Sequence, residues 1–84
     1  MTAWYVYILR CADQSLYTGV TTDPERRLKE HNHDKAGAKY TRARRPVKLI
    51  YQEIVTNRSA ACRREHTIKA LSRMAKEALI NGYK

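Results

Sequence analysis

From Ala3 to Cys11 (AWYVYILRC) almost every position is apolar or aromatic and rich in β formers. Such a run predicts a strand buried on both faces, and therefore central in its sheet. Asp13-Gln14-Ser15 interrupts it and Leu16–Thr21 (LYTGVT) resumes it, so residues 3–21 predict a β-hairpin. Asp23-Pro24, followed by Glu25 in the first turn, marks a helix start that runs to about Asn32. Leu28 is its only large apolar residue, which predicts a surface helix with a thin buried edge. His33–Arg45 is polar, basic and contains Gly37; it predicts a loop ended by Pro46. Val47–Val55 (VKLIYQEIV) predicts a third strand. Thr56-Asn57 caps a helix from about Arg58 to Leu71, and Ser72 caps a short last helix stopped at Asn81-Gly82. The order ββαβαα predicts a single α/β (α+β) domain over residues 1–84, with a three-stranded, mainly antiparallel sheet flanked by helices.

Strand alternation gives the faces. Tyr5, Tyr7 and Leu9 point one way, and Trp4, Val6 and Ile8 the other. Tyr17 and Gly19 share a face of the second strand. A three-residue loop brings Tyr7 and Tyr17 to one side, and one such register sets Gly19 opposite Tyr7. Glycine there leaves room above the backbone for a tyrosine hydroxyl and a ligand.

Composition narrows the function. The 84 residues carry a formal charge of +9, and 43% of them are hydrophobic, which excludes a disordered basic tail. No apolar run reaches the roughly 18 residues of a membrane span. Met1–Leu9 shows neither a basic stretch nor a small-residue cleavage site, so no signal peptide is expected. Two cysteines, Cys11 and Cys62, are too few for a disulfide framework or a four-ligand zinc site, and a reducing cytoplasm fits. The charge is concentrated: Arg26–Lys48 holds nine basic residues against Glu30 and Asp34, +7 of the +9. A cluster of this kind neutralises phosphates. Lys39, Tyr40, Arg42, Arg44 and Arg45 are the candidate nucleic-acid contacts, with an aromatic interleaved among the charges. An anionic membrane surface fits less well, because no amphipathic helix with a wide apolar face carries the cluster.

Taken singly, the remaining candidates are unremarkable side chains. Arg27 and His31 lie four apart on one helix face, as solvated pairs often do. Glu65 sits at the edge of a stripe formed by Ala61, Ile68 and Leu71, and alone reads as a surface carboxylate between Arg64 and Lys69. Tyr7 and Tyr17 alone read as core aromatics with a polar tip. Their order is specific: Tyr5-Val6-Tyr7, then Tyr17-Thr18-Gly19, then Arg27 and His31, then Glu65. With L-Y-T-G-V-T-T-D-P-E-R-R-L-K-E-H-N and A-K-Y-T-R-A-R-R-P-V-K-L-I-Y between them, the chain resembles the GIY-YIG endonuclease superfamily over about residues 3–80, and most closely its small stand-alone, YhbQ-like branch.

The resemblance implies a metal-dependent endonuclease that hydrolyses phosphodiester bonds in nucleic acid, with DNA the expected substrate and low sequence specificity. Glu65 matches the carboxylate that holds one Mg²⁺ or Mn²⁺, Arg27 the residue that binds the scissile phosphate, and Tyr7 and Tyr17 the tyrosines of the two motifs. His31 occupies the place of a histidine that serves as general base in some relatives. Its ordinary pKa near 6.5 favours that role over free tyrosine near 10, so His31 and Tyr17 acting together form the expected base. Tyr5, Val6 and Thr18 depart from the motif residues, Val20 replaces a lysine of the repair branch, and Glu77 falls where several relatives carry an amide. No separate DNA-binding domain is evident, so a protein partner is one source of specificity. The alternative is a non-catalytic basic nucleic-acid-binding module, which has no use for Glu65. A structural adaptor would need neither the basic loop nor the carboxylate.

Overall fold

Strand β1 (Trp4–Arg10) lies in the middle of a three-stranded antiparallel sheet, with β2 (Leu16–Thr21) on one side and β3 (Lys48–Val55) on the other. The computed structural model describes residues 3–34 and 37–82. Lys35, one of the basic cluster, lies outside them. The central position of β1 follows from its composition: Val6, Tyr7, Ile8 and Leu9 are all buried, which only a strand covered on both faces permits.

The hairpin has the anticipated three-residue loop, one position earlier than the sequence suggests. Cys11 N–H donates to Ser15 O at 2.9 Å, so the reversal is made by residues 12–14, with Gln14 at φ 71°. Asp13 fixes it by accepting from the Ser15 backbone N–H at 3.0 Å. A turn closed by a residue in the left-handed region suits the twist of a three-residue hairpin loop. Parity is unchanged by the shift, and Tyr7 pairs with Gly19 while Leu9 pairs with Tyr17. Along β3 the register slips between Ile8 and Leu9, so Tyr51 shares the face of Ile8 and Leu49 the face of Leu9.

Each sheet face has its own apolar cluster. Val6, Ile8 and Tyr51 pack with Ala61 and Ile68 of α3 (Arg58–Lys69), joined by Trp4, Val20, Leu79 and Ile80. The last two belong to α4 (Arg73–Asn81), which has no fully buried residue of its own. It is tied to β1 by Arg10, whose guanidinium donates to both Glu77 oxygens at 2.8 and 3.0 Å. On the other face Tyr7, Leu9, Cys11 and Val47 pack with Tyr17, Leu28 and Leu49 beneath α1 (Pro24–His33). The three long helices start at the caps the sequence predicts: Asp23 accepts from Arg26 N–H, Asn57 from Ala60 N–H and Ser72 from Ala75 N–H. Each such cap contributes about 1 kcal/mol.

Two expectations are corrected. The segment His33–Arg45 is not wholly loop: Lys39–Arg42 forms a single helical turn, α2, whose Thr41 is fully buried. The buried edge of α1 is not Leu28 alone, because the one fully buried side chain of that helix is His31. Hydrophobic patterning registers neither feature, since both buried groups are polar.

The glycine at the hairpin crossing carries a steric requirement. A Cβ on Gly19 would stand 2.5 Å from the Tyr7 hydroxyl oxygen and 2.6 Å from Cζ. Tyr7 is only 2% exposed and cannot swing aside freely. Gly19→Ala is expected to lower stability by about 1–3 kcal/mol, the usual cost of overpacking, with the urea midpoint falling and the m-value unchanged.

Candidate active site

Helix α1 is turned back across the Tyr7 face by a short connection. Thr21 Oγ1 accepts from Asp23 N–H at 3.1 Å, and the helix begins at the next residue, Pro24. Its far end is clamped to the start of β3, where the Asn32 amide donates to Val47 O at 3.0 Å and accepts from Val47 N–H at 2.7 Å. Between these anchors Arg27 and His31, one turn apart, face the sheet.

The Tyr7 hydroxyl is the meeting point. It lies 2.8 Å from His31 Nε2, and the Arg27 guanidinium also hydrogen bonds to it. On its other side the imidazole places Nδ1 2.8 Å from Thr41 Oγ1. Tyr17 completes the cluster, with its ring edge-on to His31 at 5.2 Å between centroids and 6.5 Å from that of Tyr7. Histidine is therefore bonded to Tyr7 of the first motif, while Tyr17 touches it through ring contact. Arg27 in turn holds Glu30 at 2.8 Å. Neither Glu30 nor Thr41 was singled out by the sequence. The i,i+3 spacing of Arg27 and Glu30 could have pointed to the first; nothing local points to the second.

Burial dominates the electrostatics. It pushes Tyr7 up to about 12, with the fields of Tyr17 and Glu65 adding to the rise against the lowering effect of Arg27. It pushes His31 down to about 4, helped by the nearby Arg27 and Arg45 charges and opposed by Glu30. A histidine poised near neutrality is thus not what the fold builds. His31 is fully buried, neutral at pH 7 and already bonded at both nitrogens.

Glu65 stands on α3, and its charge adds to the field at Tyr7. Its Oε2 lies 3.3 Å from the Lys69 ammonium, one turn on along the same helix. Among the described residues no group of three or more His, Cys, Asp or Glu could hold a metal. One carboxylate beside open solvent fits an ion that keeps most of its waters, as Mg²⁺ does, and not a dehydrated zinc site. Glu77 takes no part: Arg10 and Arg73 surround it and hold its carboxyl at about 2. A groove of about 500 Å³ lined by Tyr5, Thr22, Pro24, Leu49 and Gln52, among others, includes none of Tyr7, Tyr17, Arg27, His31 and Glu65.

The basic cluster divides into two kinds. Lys39 and Arg42 are exposed on α2. Arg44 lies 3.8 Å over the Tyr40 ring, bonds Asp13 at 3.1 Å and Tyr40 O at 2.9 Å, and Tyr40 in turn stacks on Tyr17 at 6.0 Å. Arg45 is engaged within the fold: its guanidinium donates to the carbonyls of His31, Glu30 and Asp34 at 2.5, 3.3 and 2.6 Å. It caps the end of α1, and its replacement bears on stability before it bears on any phosphate.

Comparison with known proteins places the chain in a family. The family model described as the GIY-YIG catalytic domain matches residues 3–79. A UPF0213 protein of Desulfotalea psychrophila is 54% identical over 80 residues, covering 95% of this chain and 73% of that one. A UPF0213 protein of Natronomonas pharaonis is 57% identical over 76 residues, covering 90% and 88%. The solution NMR structure of a UPF0213 protein from Bacillus halodurans superposes with a TM-score of 0.60 at 47% identity, covering 94% of this chain and 83% of its own.

Burial of neutral His31 ties stability to pH. The unfolded imidazole takes its proton at about pH 6.5 and the folded one only at about 4. The unfolded state therefore binds more protons between these values. The contribution is complete above pH 6.5 and is lost as pH falls toward 4, by up to about 3 kcal/mol. Urea unfolding followed across this window is expected to show that decline, and His31→Gln to flatten it.

Proposed function

Because the chain belongs to the family of GIY-YIG catalytic domains, and so to a nuclease superfamily whose substrate is nucleic acid, we propose that it is a metal-dependent endonuclease that hydrolyses phosphodiester bonds, with DNA as substrate. The observation that carries this is the Tyr7 hydroxyl, which is bonded to Arg27 and His31 and lies in the field of Glu65. A module that only binds nucleic acid requires no such convergence on one buried oxygen.

The chain's own groups divide the work as follows. Arg27 binds the scissile phosphate and matches charge that develops on its oxygens, with its fork oriented by Glu30. Tyr7, at about 12, remains a phenol at neutral pH and acts as a relay. As the attacking water gives a proton to the Tyr7 oxygen, Tyr7 passes its own to His31 Nε2, and the resulting hydroxide attacks phosphorus. Phosphate docking offsets the Arg27 charge, one of the forces holding His31 near 4, so substrate itself raises the basicity of the imidazole. Tyr17, half-buried beside His31, helps orient the water. Glu65 would hold one Mg²⁺ or Mn²⁺, with waters and phosphate oxygens completing its shell. When bound, the ion supplies positive charge to the leaving oxygen.

Glu65→Gln is expected to abolish Mg²⁺-dependent nicking of plasmid DNA while leaving DNA binding nearly intact, and Arg27→Lys to slow cleavage by at least roughly tenfold. Wild-type turnover in the Glu65 variant would overturn the metal assignment, and DNA binding without cleavage by the parent chain would leave a binding module.

Binding has its own signature. Lys39 and Arg42 project from α2, so replacing both with Ala should flatten the dependence of log K on log salt by about 1–2. Affinity should fall alike for all sequences, with little change in melting temperature, because phosphate contacts carry no base information. Fluorescence anisotropy across a salt series measures both.

A further inference from the structure

His31 works as proton acceptor only if its bare nitrogen is the one that faces Tyr7. Nothing in the imidazole itself guarantees this, because a neutral ring carries its proton on either nitrogen. What decides is the partner of Nδ1, and two groups compete for that place. Thr41 Oγ1 is 2.8 Å away, and the backbone N–H of Ala38 is 3.4 Å away. They make opposite demands. The amide can only donate, and so asks for a bare Nδ1. The Thr41 hydroxyl donates to Ala38 O at 2.9 Å, which leaves its oxygen to accept a proton from Nδ1. The shorter contact prevails, Nδ1 carries the proton, and Nε2 is left bare at 2.8 Å from the Tyr7 hydroxyl.

We infer that Thr41 is a positioning residue of the site: it fixes His31 in the Nδ1–H tautomer and so aims the bare Nε2 at Tyr7. The assignment rests on the hydrolytic reading above for its catalytic consequence, but its structural half stands apart from it. Thr41 is fully buried and no apolar contact calls for a hydroxyl there; its two hydrogen bonds are what the hydroxyl contributes. Proton flow through the chain balances. The water proton moves to Tyr7 Oη, the Tyr7 proton to His31 Nε2, and the imidazolium keeps its Nδ1–H on Thr41, whose own proton remains on Ala38 O. The acceptor role strengthens when the ring becomes cationic. The other groups facing His31 do not compete for Nδ1: Tyr17 of β2 meets the ring through its edge, Arg27 and Glu30 bond each other, and Arg45 takes the His31 carbonyl.

The consequence of removing the hydroxyl is specific. In Thr41→Val the Ala38 amide becomes the nearest polar partner of Nδ1, and the tautomer should reverse. Nε2–H then donates to Tyr7, and no lone pair is left to take the Tyr7 proton. Two-bond ¹H–¹⁵N correlation spectra of the full chain at pH 7 distinguish a bare from a protonated ring nitrogen. The wild type is expected to show Nδ1 protonated and Nε2 bare, Thr41→Val the reverse, and Thr41→Ser the wild-type pattern. Plasmid nicking should fall at least tenfold in Thr41→Val and return in Thr41→Ser. Thr41→Ala, which also lacks the hydroxyl, makes the same comparison if the valine does not fold. A wild type protonated at Nε2 would overturn the proposal, as would a hydroxyl-free variant that keeps Nδ1–H, whatever its activity. A reversed tautomer with wild-type cleavage would overturn the aiming of Nε2. Reversal in a protein whose parent cuts nothing would uphold the role of Thr41 in setting the tautomer and remove the hydrolytic reading instead.

Discussion

A neutral imidazole buried between a sheet and a helix is the constraint from which the rest of this structure follows. With no exposed surface, His31 must find a partner for each nitrogen inside the protein. Tyr7 supplies one from the central strand and Thr41 the other from a single helical turn. The Tyr7 hydroxyl reaches that position only by passing over a residue without a side chain, which accounts for Gly19. The helical turn stays in place because Arg45 binds the end of α1 and Asn32 binds the start of β3. Architecture on this face serves the polar contacts as much as it serves apolar burial.

That arrangement explains why a basic protein of this size does not simply present its charges to solvent. Arg27 is held against Glu30, Arg44 against Asp13 and the Tyr40 ring, and Arg45 against three carbonyls. Exposed pairs of this type add little stability, but a guanidinium with several acceptors orders the segment that carries it. The arginines shape the segment between α1 and β3, while Lys39 and Arg42 on α2 stand exposed to solvent.

The strands, their faces and the pairing of Tyr7 with Gly19 were legible in the sequence, because side-chain period and loop length fix them together. The helix starts were legible at Asp23, Asn57 and Ser72, since each cap is a local bond. Tyr7, Tyr17, Arg27 and His31, which meet on one face, and Glu65, whose charge acts on Tyr7, were legible as an ordered set but not as a geometry. Sequence could not reveal that His31 pairs with Tyr7, or that burial and two arginine charges lower its basicity. Those are long-range effects between residues 24 positions apart. Thr41 and Arg45 were opaque for the same reason: a threonine and an arginine in a polar segment look solvated until a distant backbone claims them.

The two faces of the sheet hold their cores separately. Val6, Ile8 and Ile68 belong to one, and Tyr7, Leu9 and Val47 to the other. The first is built of more apolar side chains and is closed by α3 and α4; the second relies on a histidine, tyrosines and an arginine cap. The buried imidazole, whose protonation costs stability, belongs to the second. One central strand thus carries two cores of different make-up, one apolar and one built around polar contacts. Glu65 stands on the helix that closes the first core, and Tyr7, Arg27 and His31 lie with the second, so the shared sheet is what holds the carboxylate and the imidazole in one frame.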